Sequence, residues 1–474
     1  MLAAGLLALA TSAGAVGVDV PGGATIALDV SNRVRGEFVD WFDAPGLNAR
    51  HAFVHNRFRL GVRLDFDPVE VGLEYQNTVI GAVPEDAPGP GGAYRANTNR
   101  DTQVGNWIRQ GWLGVRHLLG DYELRLRVGR QTYYDGAELE SAEPTLSWLR
   151  RVRVSERLIG PFDYTAVGRS FDGVLATADH RTFVLTGFAF RPTSGGFEID
   201  AGRDVSGIDL AGVSYALKDR PGFERTNARL FWIYYADDRP GDGDVVALDN
   251  RPAAVRAADR DEIVFSSVGA DLLHVWPVGP GAADLLAWTA GQYGDWQSLD
   301  HRAWAFALEA GYRLPDWPAE PWLRGGLFRS SGDDDPANGR HETFHQLLPT
   351  ARKYAQAPFY NLMNGQDVFL QFLLNPTPAL QMRVDGHWLQ VAESADLAYF
   401  GGGATKDDFF GFGGVPASGK RDLAYLVDLG VTYTFSKHLS AYAYYAHAFG
   451  QDVVRAAFDD AQLDYGYVEL TVSF

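Results

Sequence analysis

Arginine recurs at alternate positions in separate parts of this chain: Arg33 and Arg35, Arg57 and Arg59 followed by Arg63, and Arg125 and Arg127. A period of two places such residues on one face of a β-strand. Arg383, in an Arg-x-Asp-x-His run with Asp385 and His387, repeats the pattern near the other end of the chain. A guanidinium stays charged at any working pH, and its planar fork matches a carboxylate with two parallel hydrogen bonds. The chemistry these positions suit is the reception of anions. Asp29, Glu37, Asp65 and Glu123 share the same faces, so part of the positive charge is balanced and part braces the structure.

A second pattern suggests catalysis. His341-Glu342-Thr343-Phe344-His345 matches H-E-x-x-H, which binds zinc when a helix presents both histidines on one side. Here it follows Asn338-Gly339 in a stretch rich in Gly, Asp and Pro, and Pro349 truncates any helix. His51 and His55 are also four apart, but on a strand that spacing is too wide for a tight site. No Ser-His-Asp set stands out. The expectation is therefore no catalytic residue, no metal and no cofactor.

The elements that would position the arginines read as strands. Phe58, Leu60, Val62, Leu64 and Phe66 alternate with Arg57, Arg59, Gly61, Arg63 and Asp65. The turn Asp67-Pro68 follows, and Val69, Val71, Leu73 and Tyr75 resume the alternation. Leu423 to Phe435 behaves in the same way, as does the final YGYVELTVSF. Such runs exceed the usual globular strand and suit a tilted membrane strand of ~9–11 residues. About eighteen segments of this kind run from 25–39 to 464–474, an even number as bacterial barrels require. The fourth, thirteenth and seventeenth mix their faces. Tight turns (Asp67-Pro68, Leu119-Gly120-Asp121, Asp179-His180, Asn375-Pro376-Thr377, Ser436-Lys437) alternate with long connections at 84–102, 134–165, 239–260, 332–365 and 394–421. That segregation marks an outer-membrane barrel with its short turns in the periplasm. The last strand must then pair with the first, which leaves no open edge.

Composition agrees. The 474 residues include 53 glycines and no cysteine, and the net charge is −18. The absence of cysteine excludes disulfides and thiol chemistry, and the negative balance argues against nucleic acid as a partner. The run MLAAGLLALATSAGA, ending in an A-x-A pattern at Ala13-Gly14-Ala15, reads as a secretory signal peptide over residues 1–15, although a basic leading region is missing. A single barrel domain is expected over 16–474. In a transmembrane barrel the apolar face meets lipid and the alternate residues point inward, which puts the arginines in the lumen. An arginine-rich lining selects anions. Much of the acid falls in long connections, at Asp237, Asp238, Asp242 and Asp244 and at Asp333 to Asp335. Tyr442, Tyr444, Tyr445, Trp107, Trp112, Trp288, Trp296 and Trp304 read as membrane-interface girdles in preference to a sugar-stacking track.

Three segments carry a family resemblance: GRQTYYDG, then RLIGPFDYTAVGRSFDGV, then SGDDDPANGRHETFHQLLPTARKY. They resemble the alginate export family of outer-membrane porins, and the likeness extends over nearly all of the mature chain. The resemblance implies an 18-stranded barrel in the bacterial outer membrane that passes an anionic uronate polysaccharide through an arginine-lined constriction. It also implies that Arg130, Asp135, Arg169 and Asp172 lie in the motifs of that constricted region. By parity Asp172 is expected to face inward, whereas Arg130 and Arg169 share the lipid-facing register. Either Gly129 and Gly168 mark bulges or these two arginines sit above the membrane. Outer-membrane lipid, the barrel-assembly machinery and periplasmic export components are the implied partners. Uptake of small anionic solutes or oligosaccharides is the alternative function, because it needs the same lining.

Overall fold

The computed structural model describes residues 16–474 except 21, 22, 219, 351 and 352. The segment read as a signal peptide lies outside the described residues. Twenty strands hydrogen-bond into one sheet, of which two, Val16–Val20 and Arg340–His341, stand outside the wall. The remaining eighteen are β1 (Ala24–Asp40), β2 (Arg50–Phe66), β3 (Val69–Gly81), β4 (Gln103–Leu119), β5 (Tyr122–Gln131), β6 (Phe171–His180), β7 (Phe183–Pro192), β8 (Ile208–Leu217) and β9 (Thr226–Asp237). The second half comprises β10 (Ile263–Val278), β11 (Gly281–Trp296), β12 (Leu299–Arg313), β13 (Trp322–Ser330), β14 (Gly365–Thr377), β15 (Leu380–Val391), β16 (Asp422–Ser436), β17 (Leu439–Gly450) and β18 (Gln462–Ser473). Each wall strand pairs antiparallel with its sequence neighbours. The ring closes through β1 and β18, in register from Ser31 opposite Ser473 to Asp40 opposite Asp464. Closure satisfies every strand edge, the only way a sheet can stand in hydrocarbon. Phe474 extends the pairing by exchanging backbone hydrogen bonds with Val30, and its ring stacks on His438.

The eighteen segments expected from alternation correspond one to one with the wall strands. The outward face is apolar, with Leu60, Val62, Leu73, Leu126, Val128, Leu230, Leu370 and Val468 among its exposed side chains. β4 mixes its faces because it carries a bulge. The pairing with β3 shifts by one residue between Glu74 and Tyr75, so both Arg109 and Gln110 turn inward. Loop lengths mostly segregate as expected, but β11 and β12 join on the long-loop rim through Gln297-Ser298 alone, and the short-turn rim carries two longer connections, 218–225 and 314–321.

The long connections do not stay at the rim. Residues 132–170 and the described residues of 331–350 and 353–364 enter the barrel and pack against the inner wall, carrying Leu146, Leu149, Leu158, Ile159, Leu347 and Leu348 into contact with wall residues such as Phe231, Trp288 and Phe328. The two loops bind each other where Ile159 and Leu348 form a parallel bridge. This corrects two expectations. The segment 332–365 is mostly interior rather than an outer-surface loop, and Asp237 and Asp333 are buried. Trp112, Trp288, Trp296 and Tyr444 also face inward and are covered, as are the half-buried Trp107 and Tyr442, so these six are not girdle residues. Trp304 and Tyr445 do face outward. The inward rings are packed under loops: Trp296 stacks on His341 at 4.0 Å, and Tyr444 lies against Tyr465 and Tyr467.

Because the chain has no cysteine, single cysteines report exposure cleanly. In intact cells an impermeant thiol reagent should label Asn338→Cys, at the exposed tip of the second loop, and leave Leu347→Cys, Asp67→Cys and Lys437→Cys unlabelled. Labelling of the last two with Asn338→Cys protected would invert the orientation.

Candidate functional site: the arginine-lined interior

On β1 and β2, Arg33, Arg35, Arg57 and Arg59 point inward and are buried. Burying a guanidinium is costly unless every charge is paired and hydrogen-bonded. Here the partners come largely from the loop at 132–170. Arg33 donates to the backbone oxygens of Asp163 at 2.9 Å and Thr165 at 2.6 Å. Arg35 donates to the Tyr164 oxygen at 2.9 Å and to Glu469 of β18 at 2.6 Å, with its guanidinium 4.5 Å from the Tyr164 ring centre and 4.3 Å from that of Tyr467. The Asp163 carboxylate receives Arg59 at 2.7 Å and Arg109 at 2.9 Å, with Arg57 at 3.6 Å. Burial alone would raise this carboxyl, but Arg109, Arg59 and Arg57 outweigh it and hold Asp163 well below the usual carboxylate range.

The opposite side of the barrel reverses the arrangement, with the arginines on the loop and the acids on the wall. A short helix, Pro144–Trp148, runs into a single π-turn, Leu149–Val154, which carries buried Arg150 and Arg153, and buried Arg157 follows in the turn beyond it. Arg150 meets Asp271 of β10 at 2.7 Å. Arg153 and Arg157 meet Glu309 of β12 at 2.8 and 3.3 Å, and Glu309 also receives Arg324 of β13 at 3.1 Å. Asp135, at the start of the loop, is paired with Arg229 of β9. Arg383 on β15 is held between Asp385 at 3.1 Å and Asp428 of β16 at 3.0 Å.

Three of the expected lining residues differ. Arg63, Arg125 and Arg127 lie nearer the short-turn rim, away from the inward loops, and keep solvent contact. Arg63 has no hydrogen-bond or ion-pair partner among the described residues. Arg127 lies 4.2 Å from the centre of the Trp112 ring with Glu70 at 3.7 Å, and Arg125 pairs with Glu123 on its own strand.

Arg130, Arg169 and Asp172 are not lining residues. Arg130 and Asp172 sit directly opposite each other on β5 and β6 with no register shift, both on the outer face near the long-loop rim, and bind through a 2.6 Å contact. The expected inward parity of Asp172 fails because Phe171 occupies the inward position and is buried under the loops. Neither glycine marks a bulge. Arg169 lies in the loop before β6, where it donates to the backbone oxygens of Gly402 at 2.6 Å and Ala404 at 3.3 Å and so ties two loops together. Gly168 has a φ of +74°, a conformation that favours glycine, and a Cβ there would meet the Asp163 carboxylate at 2.7 Å.

Sequence reasoning missed Asp163, Arg109, Arg150, Arg153 and Arg157. The last three had a signal: their spacing of three and four beside Leu146, Leu149 and Val152 is helical rather than alternate.

The H-E-x-x-H residues are not on a helix. His341 lies on the two-residue strand that adds in parallel to β12, and His345 sits among Tyr235, Phe265, Phe410 and Phe412. Burial, and secondarily His301 and Arg239, push His345 down to about 3. A histidine held neutral in the fold but free to charge near pH 6.5 when released makes the packed loop lose stability as pH falls from about 6.5 toward 3. His345→Phe should pack equally well at neutral pH and should weaken this acid sensitivity, measured as limited proteolysis of the loop between pH 7 and pH 4. Equal sensitivity in both proteins would refute the assignment. Glu309→Gln leaves buried Arg153 and Arg157 without their carboxylate, while Arg324 keeps Asp284, a loss of about 3–5 kcal/mol by analogy with broken buried pairs. The barrel should still show its heat-modifiable gel shift, while the loop at 132–170 becomes protease-sensitive.

Comparison with known proteins places this geometry. The sequence profile of the alginate export family matches residues 92–467. No curated protein sequence matches the chain. Among solved structures it is similar to Pseudomonas aeruginosa OccK9 (OpdG), with 13% identity over 94% of this chain and 98% of the other and a TM-score of 0.58. It is also similar to Acinetobacter baumannii OccAB2, at 10% identity, 94% and 98% coverage and a TM-score of 0.57. Pseudomonas aeruginosa OccK11 (OpdR) aligns at 11% identity over 95% and 96% with a TM-score of 0.55. Identities this low speak to the fold alone, and that fold is the barrel of outer-membrane channels. With 18 strands closed around a charged interior and the family profile spanning most of its length, the chain belongs to the alginate export family and is an outer-membrane channel of bacteria.

Proposed function

We propose that this channel carries an anionic, alginate-like uronate polysaccharide outward, and that the polymer first meets the protein at the periplasmic mouth. The observation that carries this reading is the division among the arginines. Those at mid-barrel are bonded to loop or wall, whereas Arg63, Arg125 and Arg127 keep solvent contact in the half nearer the short turns. Short turns are the periplasmic ends of such barrels. Solvent-reachable positive charge at that mouth, with Arg63 outside any ion pair among the described residues and Arg125 and Arg127 sharing theirs with Glu123 and Glu70, attracts a polyanion arriving from the periplasm despite the overall charge of −18. Cooperation with periplasmic export components and insertion by the barrel-assembly machinery belong to the same reading. A second reading, uptake of small organic anions, is favoured by the inward loops, which suit a small solute better than a polymer unless they move.

In planar bilayers the wild-type channel should be anion-selective, and replacing Arg63, Arg125 and Arg127 together with glutamine should shift the reversal potential toward cations and slow passage of uronate oligomers. Removing Asp334 and Asp335 should matter far less, because charges in the loop are screened over about 8 Å at physiological salt. A cation-selective wild-type channel would exclude both readings.

A further inference from the structure

Asp163 is placed as a ligand would be. Its carboxylate lies among Arg57, Arg59 and Arg109, drawn from two strands, and the Tyr134 hydroxyl lies 3.5 Å away. Arg33 holds the backbone oxygens of Asp163 itself and of Thr165 beyond it. Glu74 of β3 is the other acid in contact with this group, 2.7 Å from Arg109 and 3.8 Å from Arg59. Arg33 also lies 3.5 Å from Glu469, so four guanidiniums face three carboxylates and one positive charge stays in excess with Asp163 in place. The carboxylate is also not sealed in: its side chain keeps 21% of its exposure, against 1% or less for the acids Glu309 and Asp271 that fix the other side of the loop. The two attachments of this loop thus differ. One is fully buried. The other reaches solvent through a single acidic side chain.

We propose that Asp163 is a tethered competitor: an internal carboxylate that occupies the three-arginine cradle until a carboxylate of the passing polymer displaces it and releases the side-chain attachment of the loop at 132–170 to β2 and β4. The inference rests on the anion-channel reading above and adds to it a means by which the substrate opens its own path. A uronate carboxylate offers the same planar pair of oxygens as aspartate, so the exchange conserves the number of ion pairs. A tethered group competes at an effective concentration of order mM. A monomeric anion at lower concentration fails against it, whereas a polymer brings a further carboxylate with each residue and gains by the same multivalency. The cradle then distinguishes polyanions from small anions by valency.

The test uses purified full-length channel in planar bilayers, with block by short uronate oligomers as the readout and neutral oligosaccharides of equal length as the control. Asp163→Asn should lower the half-blocking concentration at least about tenfold, the scale of a removed internal competitor, and Asp163→Glu should restore it toward the wild-type value. Unchanged block in Asp163→Asn, with an anion-selective wild type, overturns the competitor and leaves the channel reading intact. A wild type that is cation-selective, or blocked equally by neutral oligomers, overturns the channel reading and the competitor with it. If Asp163→Asn does not assemble, hydrogen exchange in the wild-type protein decides. Adding uronate oligomer should speed exchange of the amides from Phe162 to Gly168, and slower or unchanged exchange there overturns the proposal.

Discussion

Charge burial is the constraint on which this structure depends. A barrel in lipid must turn its polar residues inward, and this sequence fills its interior with guanidiniums that lose water once loops enter the lumen. Each therefore has to find a carboxylate or a carbonyl. On one side the wall supplies cations and the loop supplies Asp163 and the backbone oxygens around it. On the other side the loop supplies Arg150, Arg153 and Arg157 and the wall supplies Asp271 and Glu309. The loop at 132–170 is clamped between two charge arrays of opposite sense, which fixes which end of it faces which strands without any need for a shape-specific contact.

Apolar packing then decides where the loops stay. Leu146, Leu149, Leu158, Leu347 and Leu348 meet inward-facing Phe188, Phe231, Trp288 and Phe328, so the interior of β7 to β14 is a hydrophobic core of the kind a soluble protein builds between two layers. On the arc from β1 to β5 the apolar contact is smaller, with Ala166 and Val167 packed among Phe53, Ile80 and Tyr94, and it sits beside the ion pairs of Asp163.

The sequence shows the strands clearly because lipid enforces alternation on the outer face, as at Phe58 to Phe66. It shows β4 poorly, since the extra residue at the Arg109 bulge reverses the parity midway. The rule that apolar residues face lipid also breaks where loops fill the lumen. Phe171 faces inward beneath them, which inverted the parity assigned to Asp172, and Trp288 and Trp296 are covered for similar reasons, whereas Trp112 is covered by Arg127 and the neighbouring wall. Asp163 had no legible role. A loop that folds into a barrel obeys no period, and the arginines it meets are 54 and 104 residues away in the chain.

The two-residue strand Arg340–His341 has a mechanical meaning. β13 leaves the wall at Ser330, beside Ala305, while β12 continues to Leu299, and Arg340–His341 fills the seam by pairing with Asp300 and His301. The second loop is thus a rivet through the wall, and drawing it out would unzip the rim. Among the described residues the first loop makes no backbone pairing to the wall strands; side chains fasten it to the wall and backbone bonds fasten it to the second loop. The first loop thus takes its backbone support from the second, through Leu158 and Gly160 bonded to Leu348, and the seam strand anchors both.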